Sequence, residues 1–425
     1  MPRAAGWFLL IFAVGCHGPS VVVSPASPRP TSPPGEIALA PVKPNRIEPT
    51  LANVPALDAK TADPARLFAA NSSSFRGLDD RSCILLAAKQ SRFGNLLDRE
   101  NEKPSIHVLL GKRDCPDGAR DELLRELRRL AALEARHRDA AESLDRYYQL
   151  ADAEARTELL ANGLKSFDDL RALAPRLRAA GLPVPDEDEL TRQRAKLLGE
   201  LESAEAGIKL LNVDLQSRLG LPVKGTERLW PIGPFEVAST APDTEAAVAR
   251  ALERRADLQF LRALYLGANA DTLPILGEQL KTMHALAGAA APAIPSGLVA
   301  SRREKFLAEW KSASQDEIAI RKQQLFDLIA DREKLAAAEV RTATLQMDGA
   351  ARRIALAKGR AESWKAKIDS AAKDDKAYDR VPLELEWYKA RADLVQEVMA
   401  WHRWHARYRA ALGTLLDESS TQKQK

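Results

Sequence analysis

The 425-residue chain is short of what most enzymes, nucleic-acid binders and membrane-spanning helices are built from. Aromatic residues make up 5% and cysteines number 3, so neither an aromatic-rich interface nor a disulfide-dense scaffold is available. The net charge of +4 is the small surplus of 63 basic over 59 acidic residues, spread along the chain. No basic stripe with interleaved aromatics is present, which excludes an ordinary nucleic-acid surface. No glycine-rich loop leads into Lys-Ser or Lys-Thr, no His-Glu-x-x-His occurs, and no cysteines pair at zinc spacing. His402 and His405 lie three apart, but Val398 and Arg409, rather than a carboxylate or a cysteine, stand one turn away. Carboxylates are so evenly distributed that no general acid and base stand out. The sequence therefore points to no enzyme, no metal and no cofactor.

Long hydrophobic runs are also scarce. A helix that spans a bilayer takes roughly 20 apolar residues, and the run from Trp7 to Val14 is far shorter. It follows Arg3 and reads as the apolar centre of a secretory signal. It ends in Ala13-Val14-Gly15-Cys16, which resembles the lipobox of bacterial lipoprotein signals. Residues 1–16 are thus expected to be a signal peptide, with the Cys16 thiol as lipidation site. Residues 17–66 carry Ser24-Pro25, Pro28, Pro30 and Pro33-Pro34 and read as a disordered tether that holds a folded body away from its lipid. Cys83 and Cys115 remain. In an oxidising compartment they permit one disulfide; two separate buried thiols are the equal alternative.

What the chain does have is charge, 29% of residues, together with abundant Ala and Leu, a composition of long helices and coiled coils. From about Asp117 to Ala174 the apolar positions recur three and four apart, with Leu127, Leu130, His137, Leu144, Tyr148, Ala155 and Leu159 near one stripe. Pro175 and then Gly181-Leu182-Pro183 are expected to stop this helix. Asp186, Glu187 and Asp188 open the next, where acidic residues suit the positive end of the helix dipole. That helix closes on Leu219-Gly220-Leu221-Pro222. The spacing divides the body into a first helical half at 67–220, an irregular connector at 221–242, a second helical half at 243–416 and a polar tail at 417–425. In the second half a helix begins near Asp243, a longer one spans about 301–372, and the last spans about 382–416.

The ends of the halves repeat. A shift of 193 positions lays Leu201 on Leu394, Ile208 on Trp401, Leu215 on Tyr408 and Leu219-Gly220 on Leu412-Gly413. A shared heptad phase with a shared Leu-Gly stop predicts a duplicated helical hairpin. Stripes this long ask for lateral neighbours, so the sequence predicts a homo-oligomer.

At these residues the chain resembles the TolC-like outer-membrane efflux protein family. Ala251-Leu252, Arg254-Arg255-Ala256-Asp257-Leu258 and Arg262 are similar to the family's stretch of Ala-Leu, Arg-Pro-Asp-Leu and a following Arg, with Ala256 in place of the Pro. The stop at 219–222 and Tyr408-Arg409-Ala410-Ala411-Leu412-Gly413 are similar to the family's two helix ends. The resemblance covers roughly 119–416. It implies a homotrimer of duplicated hairpins forming an α-barrel through the periplasm, a β-barrel in the outer membrane, and an inner-membrane pump with its periplasmic adaptor as partners. It implies that Arg176, Arg178, Gly181 and Leu182 form the adaptor-contacting turn. It also lets Asp186, Glu187, Asp188, Asp374 and Asp375 form charged rings at a pore mouth, although acidic residues also begin helices for local reasons alone.

One departure stands out. A spanning strand takes about 9–11 residues of alternating character. Neither 101–118 nor 268–300, where the family places its strands, reads that way; Leu273 to Leu286 is helix-like instead. The expected fold is therefore mainly α, with TolC-like architecture and strands reduced or missing. The expected role is a passive efflux or export lipoprotein of the outer membrane, its body in the periplasm. A periplasmic helical scaffold without a pore is the competing expectation.

Overall fold

The computed structural model describes residues 74–102, 118–181, 186–223, 227–233, 235–238, 242–283, 300–373 and 377–417, with 74, 118–119, 283, 300–313, 372–373 and 377–379 described by their backbone alone. The expected signal and tether, Cys16, Cys115, Leu182, Asp374 and Asp375 lie outside the described residues. So do most of 101–118 and the later part of 268–300.

The chain is mainly α. Strand β1 (Ser74–Leu78) leads into two short helices, α1 (Asp80–Gln90) and α2 (Arg92–Glu102), and then into the long hairpin of α3 (Gly118–Ala179) and α4 (Glu187–Arg218). The second half repeats the order. Strand β2 (Glu227–Pro231) precedes α5 (Thr244–Arg254), α6 (Ala256–Leu266) and α7 (Leu273–Met283), and the hairpin of α8 (Ala300–Lys373) and α9 (Ala377–Ala411) follows. At 62 and 74 residues, α3 and α8 are about 90 and 110 Å long at ~1.5 Å per residue.

The repeat is larger than a hairpin. α1, α2, α5 and α6 are each 11 residues long, and each pair is joined by a single non-helical residue, Ser91 in one half and Arg255 in the other. Asp79 and Asp243 cap the first helix of each pair; the Asp79 side chain accepts from the Ser82 N–H, and the Asp243 side chain accepts from Glu245 and Ala246 N–H. β1 and β2 close the two halves together as a parallel pair with Ser74 opposite Glu227.

The hairpin stops are identical in detail. After α4, Gly220 N–H donates to the Ser217 carbonyl and Leu221 N–H to that of Gln216; after α9, Gly413 donates to Ala410 and Thr414 to Arg409. This is the paired 5→2 and 6→1 pattern of a Schellman end. Gly220 and Gly413 sit at φ 65° and 67°, where glycine carries no Cβ penalty. Each glycine also lies against the elbow of its own half. A Cβ on Gly220 would meet Gln90, and one on Gly413 would meet the Arg254 carbonyl at 3.3 Å.

Consequently α2 carries on along α3 where α4 stops, and α6 carries on where α9 stops. The long helices form one layer. α3 packs antiparallel to α4, with Asp168 to Arg194 at one level and Glu142 to Arg218 at another. On its other side α3 meets α9, with Asp145 to Arg403 and Ser166 to Glu384. α9 in turn packs on α8, with Glu397 to Arg353 and Asp393 to Arg360. The main core runs along this layer through Leu144, Tyr147, Leu215, Trp401 and Ile354.

Three expectations are corrected. α3 does not stop at Pro175 but runs about one turn further, to Ala179. Pro175 is exposed near the helix end, so its ring meets solvent rather than a packed neighbour, and Gly181 at φ 74° makes the stop. α9 starts at Ala377 rather than near 382, with Pro382 tolerated in its early turns. The connector at 221–242 is irregular except for β2, which the Asn212 side chain fixes by accepting from Leu229 N–H at 2.7 Å. Among the described residues β1 and β2 are the strands present, and they form no closed barrel. Among the described residues no helix is long and apolar enough to cross a membrane.

Candidate functional site

Three places concentrate the groups singled out by sequence: the free tip of the first hairpin, the elbow of the second half, and the two long edges of the helical layer. At the tip, Arg176, Arg178 and Gly181 are exposed. Gly181 has no side chain within 4 Å of where a Cβ would stand. Asp186 caps α4 by accepting from Glu189 N–H at 2.7 Å. Glu187 is tied across the turn to Arg171 at 2.8 Å and Arg178 at 4.0 Å. Asp188 is exposed beside them. Asp186 and Glu187 thus have local work, a cap and a cross-hairpin ion pair, while the surface they share with Arg176 and Gly181 stays open to a partner.

At the elbow, Arg254 to Arg262 turn the family-like motif into a clamp. Arg255 is 7% exposed and donates from Nε and Nη2 to Asp257 at 3.0 and 2.9 Å. It also reaches Glu339 on α8. Arg332 on α8 donates to the same Asp257 at 2.5 Å. Arg262 bridges Leu252 carbonyl and Glu333, each at 2.7 Å. Burial pushes the Asp257 carboxyl up, but hydrogen bonds and charge from Arg255 and Arg332 outweigh it and hold the group below its ordinary value. The residue in the place of the family's Pro, Ala256, begins α6 and is buried. Because Arg255 already supplies the extended elbow at φ −62° and ψ 127°, the turn forms without proline's fixed φ.

A cleft of about 550 Å³ opens beside this clamp between α3, α8 and α9, with His137, Arg138, Arg332, Thr342, Trp404 and Arg407 among its walls. His137 is buried with no hydrogen-bond partner on Nδ1. Burial lowers its pKa, with Asp417 opposing. Below the cleft His402 stacks on Tyr148 at 5.1 Å and His405 on Trp401 at 5.1 Å. Burial first, and for His405 the nearby Arg409, push both imidazoles down to about 4. The His402/His405 pair therefore serves as neutral aromatic packing. Among the described residues no cluster of three or more His, Cys, Asp or Glu is placed to hold a metal.

Two features had escaped sequence reasoning. One is the elbow at Ser91 and the helices around it; a shift of 164 positions, which lays Asp79 on Asp243 and Ser91 on Arg255, was the available signal. The other is Glu154 on α3, whose carboxylate is fully enclosed and bonds Arg228 of β2 at 2.9 Å. A glutamate on a helix stripe shows no sign of its partner in sequence. Cys83 is wholly buried in the core beside Ile84 and Leu86. Its suggested partner, Cys115, is outside the described residues.

Uncovered apolar side chains lie mainly along α4 and α8. Leu210 and Val213 on α4, Leu96 on α2, and Ile320, Phe326, Leu335, Leu345 and Leu356 on α8 are exposed. Leu266 at the end of α6 reaches 80%, Leu210, Leu345 and Leu356 reach 73%, 71% and 70%, and Val223 just after α4 is exposed as well. No large apolar side chain is exposed on the described parts of the two inner helices, α3 and α9.

No protein-family model matches this chain, and no curated protein matches it. Solved structures do. CusC, a protein described with transmembrane channel formation, aligns over 78% of this chain and 91% of its own, with TM-score 0.53 and 11% identity. The open state of the Neisseria gonorrhoeae MtrE outer membrane channel aligns over 79% and 89%, with TM-score 0.51 and 13% identity. The outer-membrane channel OprN aligns over 70% of each chain, with TM-score 0.51 and 15% identity. At these identities the likeness is one of fold.

Proposed function

Starting from a fold that is TolC-like, we propose that this chain is one subunit of a passive helical duct in the cell envelope. Three copies stand side by side, each contributing a layer of four long rods, and the ring so formed encloses a polar passage through the periplasm. An inner-membrane pump supplies the energy, and its adaptor binds the hairpin tips around Arg176, Arg178, Gly181 and Leu182. The N-terminal lipid on Cys16 holds the assembly at the outer membrane. No chemistry is performed on the cargo.

The observation that carries this reading is the distribution of uncovered apolar side chains. They lie mainly on α4 and α8, with Leu96 on α2, Val223 just after α4 and Leu266 at the end of α6, and leave α3 and α9 clean over their described residues. An isolated layer would hide such surface within itself or replace it with polar residues; contiguous exposed apolar surface marks an interface. A single layer has two unlike edges, so copies meet edge to edge and the contact closes into a ring.

A second reading has its own support. α7, a helix, occupies 273–283, within the interval where a spanning strand pair is expected from the resemblance. That favours a lipid-tethered scaffold without a membrane pore. Conductance separates the two. The full-length protein reconstituted in planar lipid bilayers is expected to give discrete channel steps if it is a duct. A silent bilayer with correctly assembled protein overturns the duct and leaves the scaffold.

A further inference from the structure

The cleft beside the clamp sits at a break in the layer. α9 ends there with Ala411 and Gly413, and α6 begins there with Ala256. Glu134, His137, Arg138 and Ala141 line it from α3, at the spacing of one helix face. Arg332, Leu335, Ala338, Glu339 and Thr342 line it from α8, and Trp404 and Arg407 from α9. Ala141, Ala338, Ala410 and Ala411 give its walls only methyl groups, so about 550 Å³ stays open. Leu335 stands at the lip, 54% exposed.

Its charge is one-sided at the mouth. The lining holds the guanidiniums of Arg138, Arg255, Arg332 and Arg407 against the carboxylates of Glu134 and Glu339. Arg255 and Arg332 are committed to Asp257, and Arg255 to Glu339 as well. Arg407 lies over the Trp404 ring at 4.5 Å and 3.7 Å from Asp145. Arg138 is exposed and has no ion pair among the described residues. Burial, and after it the charge of Asp257, raise the Glu134 carboxyl against the pull of Arg255, Arg332 and Arg138, which lessens its repulsion of an anion. His137 is 7% exposed, and its Nδ1 has no hydrogen-bond partner. Buried polar groups are almost always paired, so a neutral imidazole left bare on a cleft wall is unusual.

We propose that the cleft is a binding site for a small amphipathic anion, its apolar body against Leu335, Ala338 and Trp404 and its carboxylate met by Arg138 and Arg407 beside His137. Apolar walls with a few convergent polar groups are the usual make-up of a small-molecule site. A guanidinium suits a carboxylate because its fork of N–H donors matches the two oxygens. A neutral ligand of the same shape leaves Arg138 unmatched, and a cation is repelled by it. The site is built within one chain, and it is distinct from any passage enclosed between copies.

Equilibrium dialysis of the full-length protein in lipid nanodiscs tests it, with 2-naphthoate as the probe, 2-naphthalenemethanol as its uncharged counterpart and empty nanodiscs as the blank. The naphthoate is expected to bind saturably and more tightly than the alcohol. Arg138→Gln is expected to weaken the naphthoate about tenfold and leave the alcohol unchanged, while Arg138→Lys, which keeps the charge, retains most of the affinity. Ala338→Trp, at an exposed position of α8, fills the cleft and is expected to abolish binding of both; Thr342→Trp, also exposed, stands in if that variant fails to fold. Arg352→Gln, an exposed arginine on the same helix away from the cleft, is expected to bind as the parent protein does. Equal affinity for the naphthoate and the alcohol overturns the anionic class. No saturable binding of the naphthoate, or binding that survives both tryptophan variants, overturns the site.

Discussion

Glu154 and Arg228 show what one buried pair decides. The Glu154 side chain is fully enclosed, Arg228 is nearly so, and their bond pins β2 to α3. Burial pushes the Glu154 carboxyl up to about 7 from an ordinary 4.5, against the opposing charge of Arg228, and Glu205 adds a smaller push upward. The folded state thus holds this proton more tightly than the unfolded chain does. The contribution of Glu154 to stability is largest below about 4.5 and falls as pH rises to about 7, a change on the order of 3 kcal/mol. His402 and His405 act in the opposite sense. Their folded values near 4 lie below the ordinary 6.5, so the stability they lend is present above pH 6.5 and is lost on acidification. Glu154→Gln, which cannot titrate, is expected to make the urea-unfolding midpoint rise more steeply, or fall less, between pH 4.5 and 7 than it does in the parent protein. Parallel curves for the variant and the parent protein contradict the assignment.

At the scale of the element, helix ends rather than helix middles set the architecture. Gly181, Gly220 and Gly413 all stand at positive φ, yet they differ in surroundings. Gly181 faces open space, whereas Gly413 abuts the backbone of Arg254 and Arg255 at 3.3 Å. Gly181→Ala is expected to cost about 1 kcal/mol, from the left-handed conformation alone. Gly413→Ala adds a backbone contact tighter than ordinary at the junction of α9 with the α5–α6 elbow and is expected to cost about 2 kcal/mol or more. Thermal or urea unfolding of the two variants gives the comparison; equal losses mean the junction yields freely. The two Schellman ends were legible because Leu-Gly is a local signal. The paired short helices were not, because an 11-residue helix such as α2, with Gly94 as its one fully buried residue, carries too few apolar positions to establish a period.

For the whole molecule, the layer order follows from contacts no local pattern encodes: α3 between α4 and α9, and α8 at an open edge. The proposed lipid on Cys16 acts at the same scale, since it decides where the assembly sits. Cys16→Ala is expected to move the protein from the membrane fraction to the soluble periplasmic fraction, and full retention in the membrane fraction contradicts the anchor. The sequence by itself determined the long helices, their stop signals and the fact of duplication, because these rest on periodicity and on single residues such as Asp186, Gly220 and Gly413. It also exposed the poverty of strand-like segments. Only the tertiary structure decided the extent of the repeat, the clamp of Arg255, Asp257, Arg332 and Glu339, the enclosure of Glu154, and which apolar stripes stay uncovered. Those depend on groups far apart in the chain, whose pairing energy appears only once the rods lie side by side. A stripe of leucines reads the same in sequence whether its partner is the next helix or the next molecule.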